Sequence, residues 1–320
     1  MKRYSALLLL LICVTPLVAS DKVKEGKELL EQAENKSDIF ELPPFEMKAS
    51  IRIENQGKPL AGSYVFLWNS PDQWREEISF PSYSEVKVGG KGVIFLKRST
   101  DFIPLRIAQL NLALSYGRLR LALKPEETIK QIHDRNVNGV KVTCVGIVDK
   151  NKRNREVCVE RATGTLVRER PYVDGELLHV GGKLIPRFLS YRENGNSVAE
   201  VEVTELKTTE HMPASTFEPP VGAVSRPGCI NPYGGSLVKA VAPPFYPEFD
   251  RRSHIGGTVA IYGVITADGV LRDPRIVSGL SPGLNKVSLD VVKQWRYEPY
   301  TCDGVATEVE AVAFVIFVPY

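Results

Sequence analysis

Histidines, cysteines, glycine-rich loops and acids are the groups through which this chain could do chemistry. Four histidines, His133, His179, His211 and His254, sit in different segments. None has the short spacing that brings two imidazoles onto one metal, and each fits a surface or turn position. Gly89-Gly90-Lys91-Gly92 has the glycine density of a phosphate loop. It lacks the Gly-Lys-Ser/Thr ending and leads into an apolar run, so a hairpin turn is expected instead. No Gly-x-Ser-x-Gly occurs, so no nucleophile elbow is indicated. The acids alternate along strand-like runs, the pattern of a solvated sheet face. The expectation is a non-enzymatic protein with no metal and no cofactor.

The cysteines point to covalent bracing. Cys13 lies in an apolar N-terminal run, leaving Cys144, Cys158, Cys229 and Cys302. An even number in an exported chain suggests disulfides, and four allow three pairings. Cys144 and Cys158 sit in β-rich runs joined by the polar loop Asp149–Arg155, where a hairpin would bring them face to face. That favours 144–158 and 229–302, with free buried thiols as the alternative. No Cys-x-x-Cys is present, which argues against zinc and thioredoxin-type chemistry.

The N-terminus reads as an export leader: Lys2-Arg3, the apolar Ala6–Val14, then Val18-Ala19-Ser20 as a small-residue cleavage site. Cleavage after Ser20 and a periplasmic location are expected. An uncleaved inner-membrane anchor facing the periplasm is the alternative, although Pro16 interrupts the segment. Its apolar run is about half the ~20 residues a span needs. The formal charge is +3, and removing Lys2 and Arg3 leaves +1, so nucleic acid is not an expected partner. A content of 43% hydrophobic and 25% charged residues is that of a folded soluble chain long enough for two domains.

The elements that would position any site read most clearly at the C-terminus. Alternating runs Thr258–Ala267 and Val270–Ser278 flank Asp268-Gly269, a type I′ hairpin signal. Ser281-Pro282-Gly283 can open a helix, and Leu284, Val287, Val291 and Trp295 recur at helical spacing. The β-branched and aromatic Thr307–Val318 closes the chain as a long strand. A helix on a small, largely antiparallel sheet follows. This stretch resembles the TonB C-terminal domain family. The resemblance rests on Tyr246-Pro247, Gly257-Thr258-Val259, Asp268-Gly269, Val277-Ser278-Gly279, Gly304, and above all Val292-Lys293-Gln294-Trp295-Arg296-Tyr297-Glu298-Pro299-Tyr300. It covers about the last quarter of the chain.

Upstream, a charged helix is expected over residues 21–38, then a dense series of strands over 39–212. Ile103, Ile107, Leu110 and Leu114 interrupt these at helical spacing, and Leu119–Gln131 reads as partly helical. Asn194-Gly195 is a strong turn signal. Lys58-Pro59-Leu60-Ala61-Gly62-Ser63-Tyr64, with Ser70-Pro71-Asp72-Gln73-Trp74-Arg75-Glu76-Glu77, resembles the LolA/LolB-type lipoprotein-carrier fold. That resemblance implies a curved antiparallel half-barrel, with Ile103–Leu114 as a helical lid. The expected class is therefore α+β: this sheet domain, a Pro/Gly-rich linker over 213–236, and a small TonB-like domain over 237–320.

Two binding features follow. The TonB resemblance implies that the final strand accepts an extended peptide of an outer-membrane receptor, or of another envelope protein, at its free edge. Thr307, Val309, Ala311, Ala313, Val315 and Phe317 are the candidate residues. Pairing within the domain, or a homodimer through this strand, is the alternative. Inside the half-barrel, Tyr64, Phe66, Trp68, Trp74, Ile78, Phe80, Ile94 and Phe95 could bury a lipid acyl chain at roughly 0.8 kcal/mol per CH₂, or form a plain collapsed core. A periplasmic lipid or lipoprotein carrier, and a membrane-anchored TonB energy transducer, are the alternative functions. The transducer needs a long spacer, whereas Pro213–Pro232 reaches at most about 70 Å when extended.

Overall fold

The computed structural model describes residues 17–318, apart from 56, 117–120, 122, 124–126, 138, 150–151, 153, 170–172, 175, 194–195, 231, 233, 236, 240–244 and 303. In chain order the elements are α1 (Leu17–Ser37), β1 (Phe45–Asn55), β2 (Lys58–Ser70), β3 (Gln73–Phe80), β4 (Tyr83–Gly90), β5 (Val93–Arg98) and α2 (Leu105–Tyr116). Then come β6 (Thr128–Val137), β7 (Val140–Val148), β8 (Asn154–Glu160), β9 (Thr165–Glu169), β10 (Val173–Asp174), β11 (Leu177–Val180), β12 (Lys183–Pro186), β13 (Phe188–Glu193) and β14 (Asn196–Thr208). The remainder is β15 (Val224–Pro227), β16 (Leu237–Lys239), α3 (Glu248–Arg252), β17 (Gly257–Ile265), β18 (Leu271–Ser278), α4 (Pro282–Val292), β19 (Arg296–Tyr297), β20 (Tyr300–Cys302), β21 (Val305–Thr307) and β22 (Val309–Phe317). The class is α+β, and its sheets are antiparallel, as the alternation predicts.

The chain divides into two compact units, one of residues 1–37 with 120–170, the other of 38–119 with 171–320. In the first, strands run in the order β9-β8-β7-β6, with α1 packed on them through Leu29, Leu30 and Ala33. A Cβ on Gly26 would come within 2.7 Å of Ile129, so the missing side chain lets this helix approach its sheet closely. Cys144 and Cys158 are register partners on β7 and β8 and are disulfide-bonded. The partly helical reading of Leu119–Gln131 gives way to β6, which begins at Thr128 and pairs with β7 along its length. Expected features at residues 1–16 and at Asn194-Gly195 lie outside the described residues.

In the second unit the main sheet runs β15-β5-β4-β3-β2-β1-β14-β13-β10. Register places Phe45, Met47, Ala49, Ile51 and Ile53 of β1 on the same face as Tyr64, Phe66 and Trp68 of β2. Helix α2 lies against β1, β13 and β14, with Ile107, Leu110, Ala113 and Leu114 buried. The Pro/Gly-rich segment contributes β15, which extends the sheet beside β5. The glycine loop is a hairpin turn, with Lys91 and Gly92 at φ 54° and 73° between the paired Gly90 and Val93. Trp74 packs on Gly89, its cross-strand partner. A Cβ there would lie 2.0 Å from the indole Cζ2, and Trp74 is fully buried. Gly89→Ala is therefore expected to destabilise by about 1–3 kcal/mol. Chemical denaturation would show it, together with a weakened near-ultraviolet tryptophan signal.

The C-terminal elements build a three-stranded sheet, β18-β17-β22, with α4 on one face. Ser281 caps α4 by accepting from the Leu284 amide at 3.1 Å, and Pro282 occupies the first helical turn. Leu284, Ser288, Val291 and Val292 are buried. Trp295 lies beyond the helix end and packs on the same core only partly buried. The Asp268-Gly269 hairpin forms, but Gly269 alone has positive φ, at 78°. The Thr266 amide donates to the Val270 carbonyl and the Gly269 amide to the Thr266 carbonyl, a longer loop than a type I′ turn. Cys229 and Cys302 form the second disulfide.

Candidate functional site

The final strand pairs with β17 on one flank only, so β22 is an edge of its sheet among the described residues. Its alternation then decides which side chains are offered. Ala313, Val315 and Phe317 are buried in the core shared with α4, and Thr307 is buried just before the strand. Val309 and Ala311 are half-buried. The opposite parity, Phe314, Ile316 and Val318, is 38%, 70% and 65% exposed. The sequence could not separate these sets, because residues 311–318 are apolar at every position and carry no period-2 signal.

Most of the candidate apolar cavity is packed in this structure, while Trp74 and Ile94 also border an open cleft. Tyr64, Phe66, Trp68, Trp74, Ile78 and Phe80 are all buried on one sheet face, Ile94 is half-buried on that face, and Phe95 lies on the other. Phe40 stacks on Trp68 with ring centroids 4.5 Å apart. The void between α2 and the sheet, beside Met47, Leu114 and Val201, is about 10 Å³, room for a water rather than an acyl chain.

Towards β5 the same face turns from apolar to charged, which overturns the reading of all strand acids as solvated. Register sets Glu76 opposite Lys87 and Glu85 opposite Arg98, and Glu76 and Glu85 are 6% and 2% exposed. Lys87 Nζ lies 2.8 Å from Glu85 and 3.8 Å from Glu76, and Arg98 Nη2 lies 2.7 Å from Glu85. Arg98 also grips Glu310 of β22 with both nitrogens, at 2.9 and 2.6 Å. Arg226 of β15 and the Tyr262 hydroxyl of β17 donate to the same carboxylate. Burial opposes the Glu310 charge, but Arg98 first, then Tyr262 and Arg226, hold its carboxyl at about 2 against an ordinary 4.5. At Glu85 burial pushes upward and Lys87 with Arg98 push further down, and at Lys87 the two glutamates outweigh burial. Charged partners thus tie β4 and β5 to the C-terminal sheet.

Beside this network lies a cleft of about 350 Å³. Its walls come from β3–β5, α2, residues 226–230 with Pro232, and the start of β22. Among the described residues, the cluster with metal-like separations is Cys144, Glu156 and Cys158, and its two sulfurs are already joined to each other. No described helix is long and apolar enough to cross a membrane.

Comparison with known proteins agrees with the C-terminal geometry. Residues 242–318 match the family model of the Gram-negative bacterial TonB protein C-terminal region. The chain is 28% identical over 99 residues to the protein TonB of Vibrio cholerae, a match that spans 31% of this chain and 40% of that one. Among solved structures it is similar to a DUF1329 family protein from Desulfovibrio piger, at 14% identity and a TM-score of 0.41, covering 61% of this chain and 97% of the other. It is also similar to a LolA superfamily protein from Nitrosomonas europaea, at 13% identity and a TM-score of 0.35, over 60% and 97%. Residues 242–318 are thus similar to the TonB C-terminal domain.

Proposed function

We propose that this is a cell-envelope protein, facing the periplasm, whose C-terminal domain captures an extended peptide of an outer-membrane receptor as an added strand along β22. One observation carries the reading: β22 has a single partner strand, and its outer flank is unpaired among the described residues. An edge of that kind supplies main-chain hydrogen bonds for affinity, and alternate side chains supply selectivity. The exposed Phe314 and Ile316 would lie against the incoming strand's apolar side chains, while Ala313, Val315 and Phe317 keep the edge rigid by anchoring it to α4.

The test is amide hydrogen exchange on the full chain, with and without peptides from the periplasm-facing segments of outer-membrane receptors encoded in the same genome. Protection along residues 309–317, with the rest unchanged, is the expected result. Protection confined to other elements would end the proposal. Ile316→Lys puts a charge on the exposed face of the edge and should weaken peptide capture about tenfold, some 1.4 kcal/mol, while leaving the melting temperature within a degree or two. Fluorescence anisotropy titration measures this.

A further inference from the structure

We infer that the cleft beside β22 is a composite peptide groove that selects uncharged extended segments, the preceding sheet and α2 supplying the wall that does the selecting. This rests on the reading of β22 as a strand-accepting edge and adds what the accepted strand must be.

The cleft runs along the main chain of β22. Val309, Glu310, Ala311 and Val312 all line it. Glu310, Val312 and Phe314 border it from one face of the strand, and Val309 and Ala311, of the other parity, bring the strand's flank to the same cavity. That flank is the unpaired one, since β17 occupies the other. A backbone laid there would meet the groups an added strand needs.

The opposite wall is helical. Leu105, Ala108 and Asn111 line the cleft from α2, spaced by three so that they share one helix face. Ile94 and Leu96 continue it from β5. The surface facing the edge is thus largely apolar with two amides set into it, Gln109, which already donates to Glu193, and Asn111. Asn111 Oδ1 is buried and has no hydrogen-bond partner among the described residues. A buried acceptor left unpaired keeps its desolvation penalty, so the site favours an occupant that brings an N–H.

Charge then narrows the occupant. Lys87 is paired with Glu85 and Glu76, Arg226 with Glu310, and Glu308 with Arg272 at 2.8 and 2.9 Å. These are the charged groups of the cleft, and each already has its counter-ion. A ligand carrying a cation or an anion would have to break one of these pairs or enter unpaired, and both are costly in a partly desolvated cavity. What remains unmet is an acceptor on Asn111 and the flank of a strand, and both are satisfied by amides. An uncharged peptide segment with small or β-branched side chains fits the cleft chemically. Its volume of about 350 Å³ is at the lower end of the ~300–1,000 Å³ of ligand clefts, which limits the enclosed portion to a short stretch of chain.

The experiment uses the full chain and a fluorescein-labelled nine-residue peptide of alternating valine and threonine, with counterparts carrying lysine or glutamate at the centre. Anisotropy titrations are run on the wild type, Ala108→Trp, Asn111→Leu and Ile316→Lys, each checked for folding by its circular dichroism melt. The neutral peptide should bind saturably, and either charged counterpart should bind at least about tenfold more weakly. Ala108→Trp fills the cleft from the helix side and should weaken the neutral peptide by about tenfold or more. Asn111→Leu removes the orphan acceptor and should weaken it about three- to tenfold. If Ile316→Lys weakens binding while Ala108→Trp and Asn111→Leu do not, the edge reading stands and the groove is overturned. Equal binding of neutral and charged peptides also overturns the groove. Absence of saturable binding to the wild type overturns both. Should Ala108→Trp unfold, Asn111→Leu and the charged peptides decide the matter.

Discussion

Glu310→Ala is expected to lower stability by about 3–5 kcal/mol and to split a single unfolding transition into two. The carboxylate is the meeting point of Arg98, Arg226 and Tyr262, which come from the main sheet, the connecting segment and the C-terminal sheet. Arg98 has a side chain only 5% exposed and would keep Glu85 but lose its bidentate partner. Arg226 and the Tyr262 hydroxyl would lose theirs. Three donors losing one shared, largely buried carboxylate makes its removal more damaging than the net worth of any one ion pair. Acid should reproduce part of the effect. The folded-state pKa of Glu310 is depressed to about 2 from an ordinary 4.5. Its contribution is therefore fully present above about pH 4.5, and it is lost as pH falls from there through 2. The linked loss is on the order of 3 kcal/mol, and the wild type should show it in denaturant melts over that window. Glu310→Ala should show a flatter acid limb. An identical limb in the two proteins, or an alanine variant as stable as the parent, would remove the network from any part in holding the C-terminal sheet.

The residues of this network show where sequence legibility ends. Periodicity and turn chemistry are local, so the β17–β18 hairpin, α4 with its Ser281 cap, and α2 over Leu105–Tyr116 can be read within a few positions. Glu76 and Glu85 carry no local mark of burial. Each becomes a buried partner only because the register of β3, β4 and β5 sets Glu76 against Lys87 and Glu85 against Arg98 on a covered face. Register is a pairwise property, and a shift of one residue would have put all four in solvent. The edge strand fails for a different reason. Residues 313–318 are apolar on both faces, so nothing in them distinguishes Val315, which anchors, from Ile316, which is exposed. The cleft was equally hidden. Its walls are separated by up to 240 residues in sequence, from Trp74 to Phe314, and Asn111 looks like an ordinary helix residue until its neighbours fail to offer it a donor.

The two disulfides should differ in what they hold. Cys229–Cys302 closes a loop with a sequence separation of 73, whereas Cys144–Cys158 closes one of 14. Cross-links stabilise largely by restricting the unfolded chain, and the restriction grows with the logarithm of loop length. The chain-entropy estimate is about 4 kcal/mol for the long loop and about 3 for the short one. The double variant Cys229→Ser, Cys302→Ser should therefore lose more stability than Cys144→Ser, Cys158→Ser. The bonds also differ in surroundings. Cys144 and Cys158 are fully buried register partners in a sheet whose hydrogen bonds persist without the bond. Cys229 is half-buried in the segment after β15, and it lines the cleft against the edge of β22. Cutting its bond to Cys302 frees that wall from the C-terminal domain. Denaturant titration of both double variants gives the stability order, and amide exchange shows where each loss falls. Exchange should quicken at residues 228–230 and 300–302 in the first variant and stay near wild type there in the second. Equal losses, or unchanged exchange at the cleft wall, would mean that the long cross-link braces something other than this wall.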